Sequence, residues 1–176
     1  MRKPNLWQMI VSFNNLSRKN ERKLQKRIER ALKQCIGSKN FTHEHAIKPN
    51  YRRGVPDGTL YLKGTKGALE LKYTKASGYK YSKHLTQVLC YHLLQEQYKV
   101  LFLVSETYFD YILVDENKEA IKVFKSKYGE HLKTYIPRTI SENVETDPNL
   151  FKIHRHIINE NTDLREILSK VINYFE

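Results

Sequence analysis

Residues 56–73, Pro-Asp-Gly-Thr-Leu-Tyr-Leu-Lys-Gly-Thr-Lys-Gly-Ala-Leu-Glu-Leu-Lys-Tyr, decide how the chain is read. Two runs, 57–63 and 68–73, have strand character, and Lys63-Gly64-Thr65-Lys66-Gly67 between them reads as a hairpin loop. Side chains alternate along a strand. Leu69, Leu71 and Tyr73 therefore share one face, and Ala68, Glu70 and Lys72 share the other. The aliphatic side chains need a core, which leaves Glu70 and Lys72 on the opposite, active face. Asp57 opens the neighbouring strand, and the hairpin can set its carboxylate beside that of Glu70. Two carboxylates on adjacent strands make a hard oxygen site suited to Mg²⁺ or Mn²⁺. An ammonium next to them, Lys72, can position or activate a water and neutralise charge on a phosphate.

Upstream, Leu24, Ile28, Ala31, Leu32 and Cys35 form an apolar stripe at helical spacing. They predict a helix over 20–36, capped by Asn20 and stopped by Gly37. Its other faces carry Arg22, Lys23, Lys26, Arg27, Arg30 and Lys33. Residues 41–47 predict a strand and 48–56 a basic, turn-rich loop. Downstream, helical period returns over 83–97, and the unbroken apolar run Val100–Val104 predicts a buried central strand. A further strand is expected at 111–114 and a helix at 117–128. Residues 129–160 carry no clear period. The last helix is marked by Asp163 and Glu166 as a capping box and by the stripe Leu164, Ile167, Leu168, Val171, Ile172 and Phe175. The expected fold is α/β in one domain, 1–176. It has a mixed sheet flanked by helices in the order αβββαβ over about 18–128, and a C-terminal helical extension over 129–176.

Charge narrows the partner. The chain carries a formal +12, unevenly spread: residues 1–90 hold 20 Lys and Arg against five acids, and residues 91–176 hold 11 against 14. A basic face of this size attracts polyanions, and nucleic acid is the commonest inside a cell. The five acids of the first half are Glu21, Glu29, Glu44, Asp57 and Glu70. A phosphate-binding face retains carboxylates where they hold a cation. Arg2 and Lys3 precede a short apolar run, but Asn14-Asn15 is no small-residue cleavage site, so no signal peptide is expected. No apolar run reaches membrane-spanning length, so no membrane partner is expected. Cys35 and Cys90 lack metal-like spacing and read as reduced thiols of a cytoplasmic protein. His43-Glu44-His45 lacks the helical-turn spacing of a zinc-protease motif.

Pro56-Asp57, a short hairpin and then Glu70-Leu71-Lys72 resemble the PD-(D/E)xK nuclease superfamily. Glu21-Arg22-Lys23-Leu24-Gln25 resembles the E-x-x-L-Q start of the first helix in its VRR-Nuc group, and Gly54-Val55-Pro56-Asp57 resembles that group's G-x-P-D. Gln87 resembles the group's later glutamine, and Gln87-x-x-x-Tyr91 is similar to the QxxxY motif of RecB-like nucleases. The motifs span about residues 21–104. The resemblance implies a restriction-endonuclease-like core and Mg²⁺-dependent cleavage of DNA, as in stand-alone phage enzymes, Holliday-junction resolvases and repair nucleases. It implies Asp57, Glu70 and the Leu71 carbonyl as metal ligands, with Glu21 reaching the metal from the helix. It implies Lys72 as the catalytic lysine, and Gln87 with Tyr91 orienting Lys72 or touching DNA.

DNA would then lie along Arg22, Lys26 and Arg30, with Arg52 and Arg53 gripping phosphates and Lys75, Lys80 and Lys83 extending the track. Tyr73, Tyr79 and Tyr81 are candidates to stack on bases. The alternative is a non-catalytic nucleic-acid-binding module on the same scaffold. The apolar last helix has two uses open to it, a homodimer contact or a place in its own domain.

Overall fold

The computed structural model describes residues 5–43 and 56–176. Among them are six α-helices and five strands: α1 (Leu6–Asn14), α2 (Glu21–Ile36), β1 (Phe41–His43), β2 (Gly58–Leu62), β3 (Thr65–Leu71), α3 (Tyr81–Leu94), β4 (Val100–Val104), β5 (Phe109–Leu113), α4 (Lys118–Tyr128), α5 (Pro137–Asn143) and α6 (Leu164–Tyr174). The sheet runs β1-β2-β3-β4-β5. All neighbours are antiparallel except β3 and β4, which are parallel and joined through α3. The sheet is therefore mixed, as expected.

Both faces of the sheet are covered. Leu60, Leu62, Leu69, Leu71, Phe102 and Val104 meet α1, α2 and α6. Ala68, Leu101, Leu103 and Ile112 meet α3, α4 and α5. The predicted alternation in β3 holds, since Leu69 and Leu71 share one core with α2. The opposite face is nevertheless no open surface. It holds a second core, and Glu70 lies within it at 1% exposure.

The hairpin is tighter than expected. Leu62 pairs with Thr65, so the turn is Lys63-Gly64, with φ of 46° and 82°. Two positive φ values are what a two-residue turn of the right-handed twist requires. Lys-Gly is a weak sequence signal for that turn, and β3 consequently begins at Thr65. Gly58 is held closely: a Cβ there would lie 2.6 Å from the Phe41 ring.

α1 and α6 both pack into the core. α1 is an addition to the expected elements. Asn5 and Gln8 cap it reciprocally, and its Leu6, Met9, Ile10 and Phe13 join the core beside α2. Leu6, Met9, Ile10 and Phe13 stand at helical spacing behind the Asn5–Gln8 capping box, a signal that the sequence reading left unused. In the unperiodic stretch, α5 starts at Pro137 and packs on α3. Residues 154–158 bond to the outer edge of β5 through Phe109, Tyr111 and their neighbours, which covers an edge strand. The apolar stripe of α6 is buried inside the chain, at Leu164, Ile167, Leu168 and Val171. It is thus used within the chain's own core. Asp163 caps α6 by accepting from the Arg165 N–H, and Glu166 pairs with Lys170 (3.7 Å) instead of closing a capping box. Among the described residues, no helix is long and apolar enough to cross a membrane.

Candidate active site

Three residues of the 56–73 stretch converge where the hairpin meets the α3 side. Asp57 precedes β2, and the register that sets Gly58 against Leu69 brings it opposite Glu70. The Leu71 N–H donates to Asp57 Oδ2 at 2.8 Å. Lys72 Nζ lies 3.2 Å from Glu70 Oε1 and 3.8 Å from Glu21 Oε1, so the start of α2 reaches the same spot. Exposure rises in order, from 2% for the Glu70 side chain through 24% for Lys72 to 39% for Glu21. The groups form the floor and rim of a cleft of about 1060 Å³.

Burial dominates the electrostatics. It pushes the Asp57 carboxyl up to about 6, against the Leu71 N–H and the Lys72 charge, which favour ionisation. Burial and the Asp57 charge hold Glu70 well above the usual carboxylate range, with Lys72 opposing. Burial alone would lower Lys72; the carboxylates of Glu70, Glu21 and Asp57 outweigh it and hold the ammonium above its ordinary value. Glu70 Oε2 is buried without a hydrogen-bond partner among the described residues. The pair is thus an under-compensated anionic site, even with Lys72 beside it.

The sign of the pH effect follows. A carboxyl raised on folding favours the fold below its unfolded value, and that contribution is lost as pH rises through the folded value. At pH 8 and without a cation, Asp57→Asn should therefore be more stable than wild type by roughly 2 kcal/mol. For a chain of this size that is about 4–8 °C in melting temperature. The advantage should shrink as pH falls through about 6. Thermal melts of both proteins in EDTA from pH 8 to pH 4 measure it. Equal melting temperatures throughout would mean that the carboxyl is well solvated.

The remaining expected residues divide. Gln87 and Tyr91 are buried on the cleft floor. Gln87 Nε2 donates to the Tyr91 hydroxyl at 2.9 Å, so Gln87 reaches the acids through Tyr91 rather than by holding Lys72. Burial and the Glu70 charge raise Tyr91. Its place is beside the carboxylates and not on an outer phosphate track. Arg22 and Lys26 are exposed on the α2 wall, and Arg30 continues the row one turn on. Lys80, Lys83 and Arg138 stand on the facing wall, Lys80 paired with Glu145 at 2.7 Å. Lys75 is exposed and lies off the cleft lining. Glu29 also lines the cleft and accepts from Gln25 Nε2 at 3.0 Å. Arg52, Arg53, Glu44, His45, Gly54 and Val55 lie outside the described residues.

The candidate stacking tyrosines are engaged. Tyr73 sits edge-on to Phe13 with ring centres 5.3 Å apart. The Tyr79 hydroxyl bonds that of Tyr108, and Tyr81 donates to Asp110 Oδ2 at 2.8 Å. Sequence reasoning missed this second polar group. Asp110, wholly buried, also accepts from Arg155 Nε and Nη2 at 3.0 and 2.8 Å, and the Arg155 guanidinium lies 4.7 Å from the Tyr81 ring centre. Glu106 accepts from the Thr74 N–H and hydroxyl where the chain leaves β3. His84, buried on α3, joins this group to Glu70. One available signal was the i, i+3, i+7 row His84, Gln87, Tyr91, a polar stripe on a helix whose other side is apolar.

Among the described residues, no three His, Cys, Asp or Glu side chains form a group that could hold a metal ion. The donor set on offer is two carboxylates with one unpartnered buried oxygen. That fits a small hard cation which keeps several waters and takes one or two carboxylates. No protein-family model, no curated protein and no solved structure matches the chain.

Proposed function

We propose that this protein is a metal-dependent DNA nuclease that hydrolyses phosphodiester bonds at Asp57, Glu70 and Lys72. The observation that carries the reading is the convergence of these three side chains, in the expected hairpin, on the floor of a cleft with cationic walls. The order helix, strands, hairpin, helix and parallel strand in α2–β4 supports a restriction-endonuclease-like core of the PD-(D/E)xK type.

Asp57 and Glu70 would hold Mg²⁺ or Mn²⁺, with the Leu71 carbonyl as a third ligand and Glu21 at the rim. The cation, when bound, supplies a nucleophilic water near neutral pH and neutralises the phosphate. Lys72 is held as an ammonium. It therefore donates to the attacking water or a phosphate oxygen and stabilises the developing negative charge. Tyr91, with its hydroxyl tied to Gln87, closes the floor beside Glu70. Arg22, Lys26 and Arg30 on one wall and Lys80 and Lys83 on the other would hold the sugar-phosphate backbone.

The test is cleavage of supercoiled plasmid, linear duplex, single strand, flap and four-way junction over a Mg²⁺ and Mn²⁺ titration. Cutting that stops in EDTA supports the proposal. Salt-sensitive binding with no cutting of any substrate would favour a binding module on this scaffold.

Phosphate contacts release counterions and read no bases. DNA affinity should therefore fall steeply with salt. Reversing Arg22, Lys26 and Arg30 to Glu should weaken binding to all sequences alike and lower the salt slope by about 3 or more. Fluorescence anisotropy over a salt series from about 50 to 200 mM reads both effects. An unchanged slope would mean that the α2 face is only solvated.

A further inference from the structure

We infer that His84 is a positioning residue for the two carboxylates, acting through the Glu70–Leu71 peptide that lies between them; the inference rests on the nuclease reading above. This peptide is gripped at both ends. Its carbonyl, on Glu70, is 2.8 Å from His84 Nε2, and its N–H, on Leu71, donates to Asp57 Oδ2 at 2.8 Å.

The direction of each bond is determined. A carbonyl only accepts, so Nε2 carries the proton and donates. With the proton on Nε2, the other ring nitrogen of this buried imidazole, Nδ1, is the acceptor. The Tyr108 hydroxyl, 2.8 Å away, must then donate to Nδ1, and Tyr79 donates to Tyr108. One chain of donors thus runs Tyr79, Tyr108, His84, Glu70 carbonyl, and continues from the Leu71 N–H to Asp57. Hydrogen bonds in series polarise one another, and a buried network that is fully satisfied holds a single geometry.

This arrangement does what packing alone does not. Tilting the peptide would turn the Glu70 side chain, release Asp57 and redirect the Leu71 carbonyl together. Those are the three oxygen groups proposed as ligands. His84 is 1% exposed, and its two ring nitrogens are used by this chain. It sits in the first turn of α3, behind the strand. Partners that orient ligands from behind are typically worth about 10–100-fold in metal affinity.

The experiment uses the full chain. Mn²⁺ binding is measured by calorimetry without DNA, and plasmid cleavage is measured in parallel, for wild type, His84→Leu, His84→Gln and Tyr108→Phe. We expect His84→Leu to weaken Mn²⁺ binding by about 10-fold or more and to lower kcat, while KM for DNA stays unchanged. His84→Gln, whose amide can donate to the same carbonyl, should recover most of both losses. Tyr108→Phe, which removes only the hydroxyl, should fall between. The double variant His84→Leu/Tyr108→Phe should be no worse than His84→Leu, because the two act through one bond. Wild-type Mn²⁺ affinity and rate in His84→Leu would overturn the inference and leave the nuclease reading standing. So would His84→Gln failing as badly as His84→Leu, since the carbonyl bond would then not be the cause. A wild-type protein that neither binds Mn²⁺ nor cuts DNA would overturn both.

Discussion

Asp57→Asn and Glu70→Gln proteins will fold and bind DNA, and will cut it at less than about one-thousandth of the wild-type rate. Each change removes one anionic oxygen donor while keeping the side chain's shape. In Asp57→Asn the remaining side-chain oxygen can still accept from the Leu71 N–H, so the hairpin geometry survives. The cation, however, would lose one of its two buried carboxylate ligands. Glu70→Gln should show the larger gain in thermal stability, because Glu70 is the more deeply buried acid and carries the unpartnered oxygen. Loss of activity joined to gain of stability is the signature of a site whose charge is held for function. Single-turnover cleavage, anisotropy and thermal melts on the same preparations measure the three quantities. Activity within a few-fold of wild type in either variant would remove these residues from the reaction.

The second large effect belongs to Lys72. As a plain ion-pair partner of Glu70 it would matter little to the rate. Its removal would then only leave a buried carboxylate less compensated, which shows in stability. As the ammonium at the attacking water, Lys72→Ala should lower the rate by about 10² or more. DNA affinity should hardly change, since one phosphate contact among many is lost. Lys72→Arg should also fail, because a planar fork cannot take the place of a compact ammonium between Glu70 and Glu21. The expected variant binds metal and DNA and does not cut. Rate constants and anisotropy separate these outcomes, and a wild-type rate in Lys72→Ala would assign the two acids another purpose.

Much of the central architecture was legible. β4 matched its apolar run residue for residue, and α2 matched its stripe and caps. β3 showed its alternation although its start was displaced by the Lys63-Gly64 turn. Asp57, Glu70 and Lys72 were nameable from type and spacing, and Glu21 from the resemblance of the start of α2 to a known motif. α5 and the 154–158 segment were not legible: each is short and gains its order from contact with distant parts of the chain, so periodicity carries little trace of it. α1 did carry a trace, since Leu6, Met9, Ile10 and Phe13 stand at helical spacing, and it was passed over. Tyr108, Asp110 and Arg155 were not singled out either, because Arg155 meets the other two only through the fold.

What the sequence determined by itself is what depends on neighbours along the chain. Alternation put Glu70 and Lys72 on one face and Leu69 and Leu71 on the other, and the hairpin put Asp57 across from Glu70. What only the tertiary structure decided is the medium in which these groups sit. The face opposite the leucines becomes a second core because α3 and, from beyond residue 136, α5 close over it. That burial raises both carboxyls, leaves Glu70 Oε2 without a partner among the described residues, and sets His84 behind the peptide that joins the site. Desolvation is a property of everything that surrounds a charge, and α3 and α5, which close over Glu70, lie outside the hairpin that carries it.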